Sequence, residues 1–169
     1  MKGQGQVPPY QPPPKQEPPP PAHQPPYTGP NYQGFVFILY SSNDKTHKLT
    51  IGTQGPDDAY LPYTVFITGT WSNQDDTNVH PITGVIGANG DGIECSWANG
   101  DSGKNVLAGG LRYGNLNELQ PSAYLDGAVT VYDANGNVSA GMGPGNVSGT
   151  GYGPPPAAVG EGSLLGSAS

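Results

Sequence analysis

Twelve of the chain's twenty prolines crowd into residues 1–34, interleaved with Gln, Tyr and Gly. Proline fixes φ, removes a backbone donor and pushes its predecessor toward extended geometry, so such a stretch samples polyproline II and contributes little to a packed core. Residues 1–34 are therefore expected to be a disordered arm, a tether or a ligand, and the fold must come from the rest of the 169 residues. About a hundred residues are enough for one domain that folds without metal or disulfide staples.

From Phe35 the texture changes to short segments rich in Val, Ile, Thr and Tyr, separated by clusters of Asn, Asp and Gly. This pattern predicts strands over 35–41, 48–52, 63–71, 82–87, 92–97, 106–113, 128–132 and 138–140. Ala-Asn-Gly recurs at 88–90, 98–100 and 134–136, and Asn-Gly favours tight hairpins because both residues accept positive φ. The clearest predicted hairpin joins Val129–Tyr132 to Val138 across the third copy. Residues 116–125 are broken by Pro121 and give at most a turn or two of helix.

Alternation assigns the faces. Val65, Ile67 and Trp71 share one parity against Thr64, Thr68 and Thr70; Ile93, Cys95 and Trp97 oppose Glu94, Ser96 and Ala98. One apolar and one polar face is the pattern of antiparallel sheets. The expected fold is all-β, an antiparallel β-sandwich over residues 35–142, with a small β-barrel as the alternative. The Gly/Pro/Ser-rich stretch 143–169 reads as a tail, although Gly136-Asn-Val-Ser-Ala-Gly141 is echoed by Gly145-Asn-Val-Ser-Gly149, which could make an edge strand.

Charge narrows the function classes. Thirteen acidic side chains outnumber six basic ones, for a net charge of −7. The cations are scattered, whereas a nucleic acid or an anionic membrane surface calls for a basic cluster. The apolar run 35–40 is far shorter than the roughly 20 residues of a membrane-spanning helix, so membrane insertion is not expected. Cys95 is the single cysteine, which excludes an intramolecular disulfide. The N-terminus lacks the apolar stretch of a signal peptide. A cytoplasmic protein, or one exported without a conventional signal, is expected.

Catalytic parts are thin. Cys95 with His47 or His80 is formally a nucleophile–base pair, but Cys95 is in phase with Ile93 and Trp97 and reads as core. His23, His47 and His80 lack the paired spacing of a zinc site. Asp133–Asn137 and Asn89–Asp91 space oxygen ligands around a glycine as calcium loops do, yet no bidentate Glu follows, and hairpin turns explain the same residues. No catalytic residues, metal or cofactor are expected; an enzyme using Asp75 and Asp76 is the least favoured reading.

A recurring pattern is more suggestive: an aromatic at a strand end followed by amides and acids. It occurs as Trp71-Ser-Asn73-Gln-Asp75-Asp76, as Trp97-Ala-Asn99-Gly-Asp101, and as Tyr113-Gly-Asn115. Saccharide sites use such parts, the ring stacking on the C–H face of a pyranose while Asn and Asp bond adjacent hydroxyls. The bland alternative is that both tryptophans belong to the core and that turns select Asn, Asp and Gly.

Ile67-Thr-Gly-Thr-Trp71-Ser-Asn73-Gln74 resembles the first strand and loop of the avidin and streptavidin family. The resemblance implies Asn73 as the contact to the biotin ureido oxygen and Thr77 in place of the next loop's serine. It covers one strand. Only Trp97 follows where the family's ligand cage uses several tryptophans, and two predicted strands precede the motif, so it reads as convergence between two antiparallel sheets.

In the arm, Lys15 stands ahead of Pro18 and Pro21 at the spacing of an SH3 ligand, while the Pro-Pro-Tyr triplets at 8–10 and 25–27 lack the intervening residue of a WW ligand. The expected function is a non-catalytic, lectin-like module that binds a carbohydrate or glycoprotein. Homo-oligomerisation and an SH3-type partner of the arm are secondary expectations. The rival is a structural or assembly protein whose low-complexity tails make multivalent contacts.

Overall fold

The computed structural model describes residues 9–12, 25–57, 61–100, 102–114, 119–139 and 143–155. The alternation found in the sequence becomes eight strands: β1 (Val36–Ser41), β2 (Thr46–Asp57), β3 (Val65–Asn73), β4 (His80–Gly87), β5 (Gly92–Ala98), β6 (Lys104–Tyr113), β7 (Ser122–Tyr132) and β8 (Gly145–Tyr152). Each pairs antiparallel with the next, and β8 pairs with β1 through Val36–Tyr152 and Tyr40–Ser148, closing a barrel. The favoured sandwich gives way to the barrel alternative. Alternation alone cannot separate the two, since both need one apolar face; closure is decided by the β1–β8 pairing, which leaves no open edge.

An eight-stranded barrel has an interior just wide enough for side chains to fill. Here Phe37, Leu39, Leu49, Ile51, Ile67, Ile82, Ile86, Leu107, Leu125 and Val147 fill it, all fully buried. The parity assignments hold: Val65, Ile67, Trp71, Ile93, Cys95 and Trp97 all point inward and are buried. Burial pushes the Cys95 thiol up to about 12, with the neighbouring Glu94 adding to it, so the group stays a neutral core thiol.

Three boundaries change. The stretch assigned to the tail from residue 143 contains β8, whose glycines serve the closure: a Cβ at Gly151 would overlap the Phe37 ring, and one at Gly149 would strike the Ile38 carbonyl. The hairpin across 134–136 contributes only a single Tyr132–Val138 bridge, because Val129 and its neighbours pair with β8 instead. Asp133 Oδ1 accepts the N–H groups of Asn135 and Asn137 there, as in an ordinary Asx turn.

The arm boundary at residue 34 also falls inside the folded unit. Residues 25–35 lie across one end of the barrel, here called the base. Tyr32 is fully buried, donating its hydroxyl to the Gly90 carbonyl at 2.9 Å, while its N–H bonds Gln54 Oε1 at 2.8 Å. Tyr27 donates to the Pro30 carbonyl, Thr28 N to Asn89 Oδ1, and Tyr63 N to the Pro25 carbonyl. Tyr32 meets Phe35 and Tyr113 edge-on. The prolines spare this strap the burial of unpaired N–H groups, and its tyrosines supply the apolar area.

Candidate functional site

At the opposite end, the mouth, lie the end of β1, the start of β2, the end of β3 and the start of β4. An open depression of about 640 Å³ sits among them, walled by Asn43, Lys45 and Thr46 on one side, by Asn73, Gln74, Asp75 and Asn78 on another, and by Gly143 and Pro144. His47 also lines it.

His47 is on the inward parity of β2 with Leu49 and Ile51, and only 8% of its surface is exposed. Its ring stacks on Trp71 at 4.9 Å, and Trp71 stacks in turn on Trp97 at 4.5 Å. Burial lowers the imidazole pKa, and the nearby Lys45 charge lowers it further, so the ring is held neutral. A neutral imidazole has one donor and one acceptor nitrogen. Neither has a hydrogen-bond partner among the described residues, and no other buried side-chain polar atom there is in that position. Leaving such atoms unpaired costs about 1–3 kcal/mol per group, a penalty accepted where the rest of the interior is apolar and well filled.

The β3–β4 loop is held by its own side chains. Asn73 Nδ2 donates to Thr77 Oγ1 at 2.9 Å, and Thr77 donates both Oγ1–H and N–H to Asp75 Oδ1. Those bonds from Thr77 hold the Asp75 carboxyl below its ordinary value. Asp76 turns away and pairs with Lys48 at 2.7 Å on the outer wall.

Of the residues singled out from the sequence, the mouth therefore gathers Asn73 and Asp75 above Trp71. The two tryptophans are 5% and 4% exposed and stack on each other, so neither offers a free ring face as a platform. Asn99 lies in the β5–β6 turn with both ends of its amide engaged, accepting from Gly103 N and donating to Asn105 Oδ1 and the Tyr132 carbonyl. Tyr113 is at the base, packed against Tyr32 and Phe35. Asp101 and Asn115 lie outside the described residues. What the sequence reading missed is His47 as the floor of the depression, with Asn43, Lys45 and Asn78 around it. The signal was present: His47-Lys48-Leu49-Thr50-Ile51 alternates, and starting the strand at Lys48 left out its first inward residue.

Compared with known proteins, the chain matches no family model. No curated protein matches it.

Proposed function

We propose that the chain is a non-catalytic binding module that takes a saccharide in the depression above His47. The observation that carries this is the pairing of an amide-rich wall with a buried imidazole that lacks hydrogen-bond partners among the described residues. Asn43, Asn73, Asn78 and Gln74 offer planar donors and acceptors suited to adjacent hydroxyls. Because the tryptophans stack on each other, recognition would rest on these amides and on van der Waals contact at the rim, with the His–Trp–Trp stack as a rigid floor. The barrel's apolar interior and Thr-rich outer wall invert the pattern of a membrane barrel, which supports a mouth that faces water.

A second reading is favoured by one pair of side chains. The segment resembling the avidin and streptavidin strand lies on a closed eight-stranded barrel, with Asn73 and Thr77 hydrogen-bonded to each other at its mouth. Small closed barrels of this kind hold a single small ligand. On this reading the ligand is a cyclic urea such as biotin. The motif's place on the third strand, together with the filled interior, favours the saccharide.

The full chain should be screened on a glycan array, with calcium and again with chelator, and titrated with biotin by calorimetry. A saccharide signal that disappears in Asn73→Ala supports the first reading. A blank array with biotin heat that is lost in the same variant replaces it by the second, and silence in both assays removes the mouth as a ligand site.

A further inference from the structure

The outer wall carries a second depression, of about 400 Å³, on the three strands where the barrel closes. Tyr124 of β7 stands on one side, Ile38 and Tyr40 of β1 on the other, and Tyr152 of β8 at the basal end. The floor is Ser148-Gly149-Thr150, with Ser148 and Thr150 facing outward and Gly149 buried between them. The tyrosines are 65%, 37% and 50% exposed at 40, 124 and 152. A solvent-facing run of three aromatics is unusual for a wall otherwise rich in threonine. Arg112 covers the Tyr124 ring at 5.4 Å, and Asp126 lies beside it; neither makes an ion pair among the described residues.

A groove of tyrosine rings with hydroxyl donors along its floor suits one ligand in particular. Polyproline II segments are pre-extended, carry ring-shaped apolar ridges, and display carbonyls that no internal N–H satisfies. The chain itself contains a stretch whose composition favours that geometry, Lys15-Gln-Glu17-Pro-Pro-Pro-Pro21, and its two charges complement Asp126 and Arg112. We infer that the groove between Tyr40 and Tyr124 binds residues 15–21 of a second copy of this chain.

The occupant comes from a second copy because of reach. Pro25 is tied to Tyr63 in the β2–β3 loop. The four residue steps from Pro21 to Pro25 reach at most about 14 Å when fully extended. Between that loop and β8 lie about two and a half strand widths, which at about 4.8 Å spacing and about 40° tilt exceed 15 Å even at the backbone radius. Arm-into-groove contact between copies gives a closed dimer where two copies exchange arms and an open assembly where they do not, and in both cases association depends on concentration. The groove is on the side wall and shares no lining residue with the mouth depression, so this inference does not rest on the saccharide reading.

The test is sedimentation velocity of the full chain over a wide concentration range, beside the variants Pro18→Ala/Pro21→Ala and Tyr40→Ala/Tyr124→Ala. Tyr40 and Tyr124 face away from the packed interior, and circular dichroism would verify that each variant folds. The expected result is association that each double variant weakens by about three- to tenfold per lost ring contact. A synthetic peptide of residues 12–24 should compete, and in amide NMR spectra of the full chain it should shift Ser148, Gly149 and Thr150. A chain that stays monomeric, or a peptide that leaves those three amides unmoved, overturns the inference. So does a monomer whose groove amides already differ between wild type and the proline variant, since the occupant would then be the same copy's arm.

Discussion

The two ends of the barrel solve the same problem in opposite ways. A closed sheet leaves an opening at each end, and at the base the chain seals it with its own residues 25–35. Every buried polar atom there that the strap brings in is used: the Tyr32 hydroxyl reaches Gly90, and its N–H reaches Gln54. At the mouth no segment is laid across among the described residues. The seal is a His–Trp–Trp stack, and the outermost member keeps both nitrogens unpaired. The difference is between an end whose seal has its polar groups paired and one whose seal leaves a buried imidazole without a hydrogen-bond partner among the described residues.

That contrast is easiest to break at the base. Tyr32→Ala is expected to cost about 3–5 kcal/mol, the range for removing a large buried aromatic. Urea denaturation should show a lower midpoint at unchanged slope. Beginning the chain at Phe35 should cost at least as much; an unaltered midpoint would mean that the strap merely rests on the barrel.

At the mouth the sign reverses. His47→Phe keeps the stack on Trp71 and removes two unpaired nitrogens, so it should raise stability by about 1–2 kcal/mol while weakening whatever binds in the depression. Loss of stability would show that His47 has a partner in solution.

The same residue gives a pH signature. Folding depresses its pKa below the ordinary 6.5, so on acidification the unfolded chain takes up the proton first. Stability is therefore fully present above about 6.5 and falls as pH drops below it. The difference in unfolding free energy between wild type and His47→Phe, followed from pH 7.5 downward, should widen through this window, and a constant difference would count against a neutral buried imidazole.

The smallest effect belongs to the outer wall. Lys48 and Asp76 pair at 2.7 Å with the Asp76 side chain 70% exposed, and Asp76→Asn should change the unfolding free energy from urea denaturation by no more than about 0.5 kcal/mol. A larger loss would mark the β3–β4 loop as part of the structural frame.

Much of the barrel was legible before any coordinates. Five of the eight strands lie within two residues of their predicted positions at both ends, because Val, Ile and Thr alternating with polar residues leave little choice, while β2 and β7 are longer than predicted. The inward set on β3 and β5 was legible for the same reason. β8 was not, since Gly145-Asn-Val-Ser-Gly-Thr-Gly-Tyr152 has the composition of a tail. Its glycines answer to Phe37 and Ile38, more than a hundred residues earlier, and nothing local encodes that contact. At the candidate site Asn73, Asp75 and Trp71 were found by their spacing. Asn99 lies in the β5–β6 turn and Tyr113 at the base, because an aromatic–amide pattern recurs wherever a strand ends, at either pole.

By itself the sequence determined the all-β character, the parity of the core positions and the polar, proline-rich nature of the arm, all of which follow from local propensity and period. The tertiary structure alone decided that the sheet closes, that part of the arm becomes a strap, and that His47 lies on the tryptophans as the floor of a mouth. Those outcomes depend on pairings between residues far apart in the chain, β1 with β8, Tyr32 with Gly90 and His47 with Trp71, whose energies no local window contains.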